Sequence, residues 1–274
     1  MTRIINRQPA PLGRLVLATL PFILLALVYL LASDARLAEN PSDKLLPSMQ
    51  SFVEAINRMA FEPSRRTGEY LLWVDTWASI KRLFTGVGIS AAIALLIGVA
   101  NGMIPYARAP LSPLVRALSL VPPMAILPIL FIVFGLGELS KVMLIIIGIT
   151  PIMIRDLQLR TDALPEEQLI KAQTLGANSW QLILRVVLPQ LLPRLIEAVR
   201  LTLGSAWLFL IAAEAIASTE GLGYRIFLVR RYLSMDVILP YVLWITLLAF
   251  ITDYLLQLLS KKAYPWYHAQ LGEK

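Results

Sequence analysis

Two uncharged runs, Leu15 to Ser33 and Leu83 to Ile104, decide which solvent this chain folds in. A membrane span needs roughly 20 apolar residues to cross about 30 Å of hydrocarbon. These runs supply 19 and 22. The rest of the chain is no less apolar: of 274 residues, 57% are hydrophobic and 16% charged. Ordinary soluble domains carry about 45–50% and about 25%. A soluble fold of this length has no interior large enough for that excess, so the chain reads as an all-α integral membrane protein. Residues 1–274 form one transmembrane domain, with a first span and an external segment over 1–78 and a core over 79–260.

The remaining spans are less clean. Leu114 to Phe134 is interrupted by Arg116, Pro122, Pro123 and Pro128. Prolines at membrane depth free backbone carbonyls that need protein or water partners, so this span is expected to be kinked and shielded from lipid. Val142 to Ile154, Leu201 to Ala213 and Val237 to Thr252 are short, and the last two lengthen only if Glu214 and Asp253 are tolerated. The count is six, or five if one of these fails. The first run follows Arg3, Arg7 and Arg14 and exceeds a usual signal core, so it reads as an uncleaved anchor.

Lysine and arginine set the orientation. With both termini inside, the internal segments 1–14, 105–116, 155–200 and 253–274 hold 14 of the 25 basic residues. The external stretch 34–78 carries five basic against seven acidic residues. Both termini are therefore expected in the cytoplasm, and the net charge of +7 reports loops, not a nucleic-acid surface. Pro47 to Phe61 has the apolar spacing of an amphipathic helix, lying either on the outer surface or against the bundle.

Few residues can carry chemistry. There is no cysteine and one histidine, His268, in a polar tail, which excludes thiolate and His-rich metal sites and Cys nucleophiles. No catalytic constellation, cofactor site or metal site is expected. Trp266, Tyr264 and Tyr267 look like an interfacial aromatic anchor. Glu214 is the one acid deep in a span, with a pathway or gating role or a pairing with Arg225 or Arg230 as its alternatives. Pro122 and Pro123 could open a cavity. Arg225, Arg230 and Arg231 make a basic external patch suited to an anion or an acidic partner, or simply a solvated helix face. Asp253 reads as a membrane-edge residue.

The longest internal stretch, about 156–191, holds a helical hairpin. Pro165, Glu166 and Glu167 make a good helix start, with proline at the first turn and acids at the positive end of the dipole. Gly176, Ala177 and Asn178 stop it, Gly or Asn suiting left-handed geometry. A second short helix starts at Ser179 and runs to Pro189. The product is a short cytoplasmic helix tied at both ends to membrane helices, which suits transmission of force from a soluble partner.

This loop resembles that of the permease subunits of type I ABC importers: Glu-Ala-Ala, three residues, Gly, nine residues, then Ile-x-Leu-Pro. Ala172, Gly176, Val186, Leu188 and Pro189 fall at matching spacings, with Val for Ile. Ile170 stands where the pattern has Glu, and Lys171 where it has its first Ala; Glu166 or Glu167 could supply a nearby charge. Four further segments, 45–48, 79–83, 121–141 and 206–224, look like the nitrate/sulfonate/taurine/bicarbonate branch, in that branch's order. The resemblance implies a type I importer transmembrane domain in the bacterial inner membrane. Two copies would form a pathway for a small polar solute such as nitrate, a sulfonate, bicarbonate or a urea- or guanidine-like compound. Two separate ATPase subunits would hold ATP and Mg and grip the coupling helices, and an extracytoplasmic binding protein would deliver the solute. No phosphate-binding loop stands in this chain; GLGELSK at 135–141 has the wrong spacing. An ion-coupled secondary transporter is the rival reading. It would call for several mid-membrane acids or paired repeats, where the sequence offers one acid and no evident repeat.

Overall fold

A computed structural model describes residues 10–40, 43–65 and 67–270. The basic start at Arg3 and Arg7 and the last four residues lie outside them. Among the described residues the chain is helical throughout, in the order α1 (Pro11–Glu39), α2 (Met49–Ala60), α3 (Leu71–Met103), α4 (Pro105–Leu118), α5 (Pro123–Phe134), α6 (Glu138–Asp162), α7 (Glu166–Thr174), α8 (Ser179–Leu182), α9 (Leu188–Ala217), α10 (Leu222–Arg230), α11 (Met235–Ala263) and α12 (Pro265–Gln270). A π-helical turn, Ile183–Val187, joins α8 to α9.

Five helices are long and apolar enough to cross a membrane: α1, α3, α6, α11, and α9 with the turns before it. The crossing between α3 and α6 is the broken one. These two helices run in the same direction. Arg82, in the first half of α3, meets Glu138 at the start of α6, while Asn101 and Gly102 at the end of α3 meet Gln158 and Thr161 at the end of α6. The chain must therefore return across the bilayer through α4 and α5, which bend by 97°. The bend falls where Pro122 caps α5 and Pro123 is its first residue, because the residue before a proline is pushed out of the helical region. Among the described residues there are thus five continuous candidate spans and one broken one.

The observed helices outrun the uncharged runs. The second run extends twelve residues toward the N-terminus, to Leu71, and so takes in Asp75, Lys81 and Arg82. A charge count ends a span at such residues. Here the helix continues because two of the three charges are buried against partners rather than facing lipid. The hairpin's second helix passes through the π turn straight into α9, in which Pro189 is the second residue.

The core lies where α3, α6 and α9 pack together, with Leu144, Ile145, Ile149, Met153, Leu157, Ala206 and Leu210 fully enclosed. Small residues let the backbones approach. A Cβ added at Gly86 would stand 2.9 Å from Ile145 Cβ, and one at Gly98 2.8 Å from Leu157 Cβ. Gly98→Leu is therefore expected to split α3 from α6 and lower the unfolding temperature of the solubilised protein, whereas Gly88→Leu, in open space, should not.

Helix α1 stands apart. None of its most apolar window is buried, and it is held by Tyr29 Oη donating to Pro47 O at 2.7 Å and by Ser33 Oγ donating to Leu46 O at 3.0 Å. The amphipathic α2 packs its Ala55 and Ala60 against α3 and α11 and leaves Met49, Val53 and Phe61 exposed, so it has a bundle face and an outward face at once.

The C-terminal tail is docked. Tyr267 is buried, not interfacial: its hydroxyl donates to Glu197 at 2.7 Å, and Arg194 lies 4.6 Å above its ring. His268 pairs with Ser260 at 3.0 Å. Burial first, and then the hydrogen bond to Glu197, push the Tyr267 phenol up to about 12 from 10.0. The folded form therefore holds this proton longer than the unfolded one. Its contribution to stability is complete below about pH 10 and lost as pH rises through about 12. Tyr267→Phe is expected to lower stability at neutral pH and to flatten that alkaline limb, measured as unfolding temperature against pH.

Candidate functional site

At the end of the bundle away from α7, four helices bring their charges together and a fifth adds a phenol. Asp75, Ser79 and Arg82 are spaced at i, i+4 and i+7 on α3, so they share one face, and all three are buried. That face meets Glu214 of α9. Arg82 Nη1 donates to Glu214 Oε1 at 2.7 Å and to Glu220 O at 2.9 Å. Its Nε and Nη2 fork onto Glu138 of α6 at 2.5 and 2.8 Å, in the bidentate geometry that guanidinium and carboxylate favour. Lys141 Nζ completes this group at 2.8 Å from Glu138.

The start of α10 closes the cluster from the other side. Its first N–H groups have no partners within the helix and carry the positive end of its dipole. Gly221 N–H donates to Asp75 Oδ1, Leu222 N–H to Ser79 Oγ and Gly223 N–H to Glu214 Oε2, each at 2.9 Å. Both glycines are needed. Gly221 has φ 124, and a Cβ there would lie 2.6 Å from Glu214 Oε1; one on Gly223 would lie 2.5 Å from Ile211 O. Gly221→Ala is expected to cost about 1–3 kcal/mol through backbone strain alone, read as a lower unfolding temperature.

Arg225 of α10 turns inward, with 14% of its side chain exposed, and its Nε donates to Asp75 Oδ2 at 2.7 Å. Burial by itself would lower its pKa, but the bond and charge of Asp75 outweigh that and hold it above its ordinary value. Tyr241 of α11 donates to the same carboxylate at 3.2 Å. Arg225 thus belongs to the cluster, while Arg230 and Arg231 stay on the outer surface, Arg230 lying 4.9 Å over the Phe227 ring. Glu214 pairs with Arg82, not with Arg225 or Arg230. The charges alternate in sign, and three of them, Arg82, Glu138 and Glu220, reach the wall of an open cavity of about 490 Å³ beside Trp73 and Trp77. Lower in the bundle, Asp253 is gripped by Arg200 at 2.8 and 2.9 Å, so it fastens α11 to α9.

Asp75 and Arg82 were missed in the sequence because they lie in a stretch that looks too polar for a span. The signal was present, since Asp75, Ser79 and Arg82 recur at helical spacing among apolar neighbours.

The hairpin stands at the opposite end. Glu166 and Glu167 form the first turn of α7 after Pro165, and nothing in that helix is buried. Gly176 takes φ +85, which lets Ala177 N–H return to Ala172 O at 3.0 Å. Asn178 then caps α8 reciprocally with Gln181, at 2.8 and 3.0 Å. Ala172, Leu169 and Leu164 pack on a small core of Leu182, Val187, Leu191 and Val99. The hairpin is thereby fixed to the end of α3 and the start of α9, with Val186 and Leu188 half-buried and Pro189 exposed at the entry to α9. Its outer side is left bare: Leu175 is 88% exposed and Trp180 71%, with Ile170 beside them.

Residues 86–263 match the family model of the binding-protein-dependent transport system inner membrane component. The chain is 33% identical over 196 residues to the taurine transport system permease protein of Escherichia coli K12, covering 72% of this chain and 71% of that protein. It is 30% identical over 149 residues to the nitrate import permease protein of Synechococcus elongatus, covering 54% and 53%. Among solved structures it is similar to a chain of the MetNI methionine ABC transporter in inward-facing conformations, with a TM-score of 0.58, 21% identity, and 70% and 94% of the two chains covered. At that identity the likeness concerns the fold.

Proposed function

This chain belongs to the binding-protein-dependent transport system inner membrane component family, and on that premise we propose that it is the permease subunit of an ATP-driven importer for a small polar solute. Two copies form the pathway, and α7 with its apolar flank docks on a separate cytoplasmic ATPase. The observation that carries this reading is the hairpin. Leu175, Trp180 and Ile170 leave an apolar surface uncovered, while Leu182, Val187 and Leu191 fasten the same element to α3 and α9. An exposed apolar patch on a rigidly anchored element suits a protein partner. A push on α7 reaches the membrane helices without being absorbed in a loop.

ATP and Mg belong to the partner, and this chain transmits their effect. Glu166 and Glu167, four and three residues before Ile170, which stands where the family pattern has its Glu, offer the partner a nearby negative charge. Pro122 and Pro123, at the 97° break, give α5 a direction distinct from α4 and make this broken crossing the gate of the pathway. The Glu214 cluster keeps the outer ends of α3, α6, α9 and α10 moving as one body. Arg230 and Arg231, on the outer surface, receive an acidic face of the solute-delivering protein. The basic-residue bias supports placing α7 and both termini in the cytoplasm. The named relatives support taurine, other sulfonates or nitrate as the solute class.

Co-purification with the proteins encoded beside it, followed by mass determination of the complex, tests this. The expected result is an ATP-hydrolysing subunit at two-to-two stoichiometry and solute uptake into proteoliposomes only with ATP. A chain that purifies alone and transports without ATP would overturn the proposal and favour ion coupling.

A further inference from the structure

A second cavity lies on the same side of the bundle as the charge cluster. It holds about 620 Å³ between α2, the start of α3 and the first half of α11. Its walls are Phe52, Val53, Ile56, Trp73, Val237, Leu247 and neighbours of like character. The few polar atoms of its aromatic residues are already engaged elsewhere. Trp73 Nε1 donates to Ala60 O at 3.0 Å, Trp244 Nε1 to Thr76 Oγ1 at 2.9 Å, and Tyr241 Oη to Asp75. An occupant meets no free hydrogen-bonding group from these residues. Water is therefore a poor tenant, since it needs two or more polar partners, and hydrocarbon a good one.

The dimensions agree. From Val237 to Leu247 the groove follows α11 for roughly 15 Å at 1.5 Å per residue, about half of a hydrocarbon core of about 30 Å. At the outer end of α11, Arg58 of α2 faces Asp236 at 3.5 Å, with the Arg58 side chain 57% exposed. A cation and an anion side by side complement a headgroup that carries a phosphate and an ammonium.

We propose that this groove binds one zwitterionic phospholipid, an acyl chain lying along α11 and the headgroup over the Arg58–Asp236 pair. The site is coupled to the charge cluster. Tyr241 and Trp244 form its inner wall and reach through it to Asp75 and Thr76 of α3. A chain filling the groove presses α11 onto α3 and keeps those bonds made.

The test is native mass spectrometry of the solubilised protein or its complex, with phosphatidylethanolamine as the probe. Val53→Phe/Ile56→Phe fills the groove from exposed positions of α2 and does not touch the core. One lipid retained per chain, lost in the filled variant and weakened in Arg58→Ala, is the expected result. Reconstitution with brominated phosphatidylethanolamine gives a second readout, because Trp73 and Trp244 line the groove: quenching should be deeper in the parent than in the filled variant. Equal lipid retention and equal quenching in both would overturn the proposal. So would efficient disulfide formation between differently tagged copies carrying Leu27→Cys on α1 and Val53→Cys on α2, since a second copy's α1 would then occupy the groove. The natural absence of cysteine keeps that control clean.

Discussion

Arg82→Ala is expected to cost about 3–5 kcal/mol of stability, the usual penalty for removing one member of a buried ion pair and stranding the other. Arg82 serves Glu214 and Glu138 together, and Glu214 has no exposure to water through which to recover solvation. Ser79 and Gly223 N–H would still face that carboxylate, so some compensation survives, but a neutral hydroxyl and one amide do not replace a guanidinium. The measurement is denaturant or thermal unfolding of the solubilised protein, closed as a double-mutant cycle with Glu214→Gln. The double variant Arg82→Ala/Glu214→Gln should be less destabilised than the sum of the two single changes, because each change removes the charge that the other leaves alone. A single-variant cost below about 1 kcal/mol, the size expected of a solvated surface pair, would mean that water reaches the cluster and that it is no rigid joint.

Gly176→Val should abolish coupled transport while leaving membrane insertion and helix content intact. At φ +85 a β-branched residue meets steric conflict between its branched carbon and the backbone. No neighbouring atom crowds the position, so the whole effect comes from the backbone turn. Without that turn Ala177 N–H loses Ala172 O, and α7 leaves α8 at a different angle. The small core of Leu182, Val187 and Leu191 then holds one half of the hairpin while the other is displaced. Recovery of the ATPase partner in a pull-down, together with ATP-driven uptake, measures the outcome. Gly176→Asn, which tolerates left-handed geometry, should retain much of both activities. Undiminished transport in the valine variant would sink the coupling assignment of this hairpin.

The hairpin was legible because its signals are local. A proline followed by acids, a glycine at a stop and an asparagine before a capped turn act through bonds between residues a few positions apart. The spans were legible for a similar reason: each must satisfy its own backbone in lipid, so uncharged length reveals it. Their ends were not, since a charge at a helix end is tolerated or rejected according to what it touches. Asp75 and Arg82 extend α3 by three turns only because partners 132 to 150 residues away neutralise them. Arg225 was read with Arg230 and Arg231 for the converse reason, as sequence proximity does not tell which side of a short helix faces inward.

Sequence alone determined that this chain is built of membrane-spanning helices, about six of them, and that a short helix projects between the fourth and fifth. These follow from solvent transfer and backbone geometry, which act residue by residue. The tertiary structure decided that α3 and α6 run parallel and so force α4 and α5 to make a broken crossing. It also decided that Glu214 pairs with Arg82 and that α1 lies against little else in its own chain. Those outcomes depend on long-range packing, where the cost of burying one charge is set by another charge far along the chain.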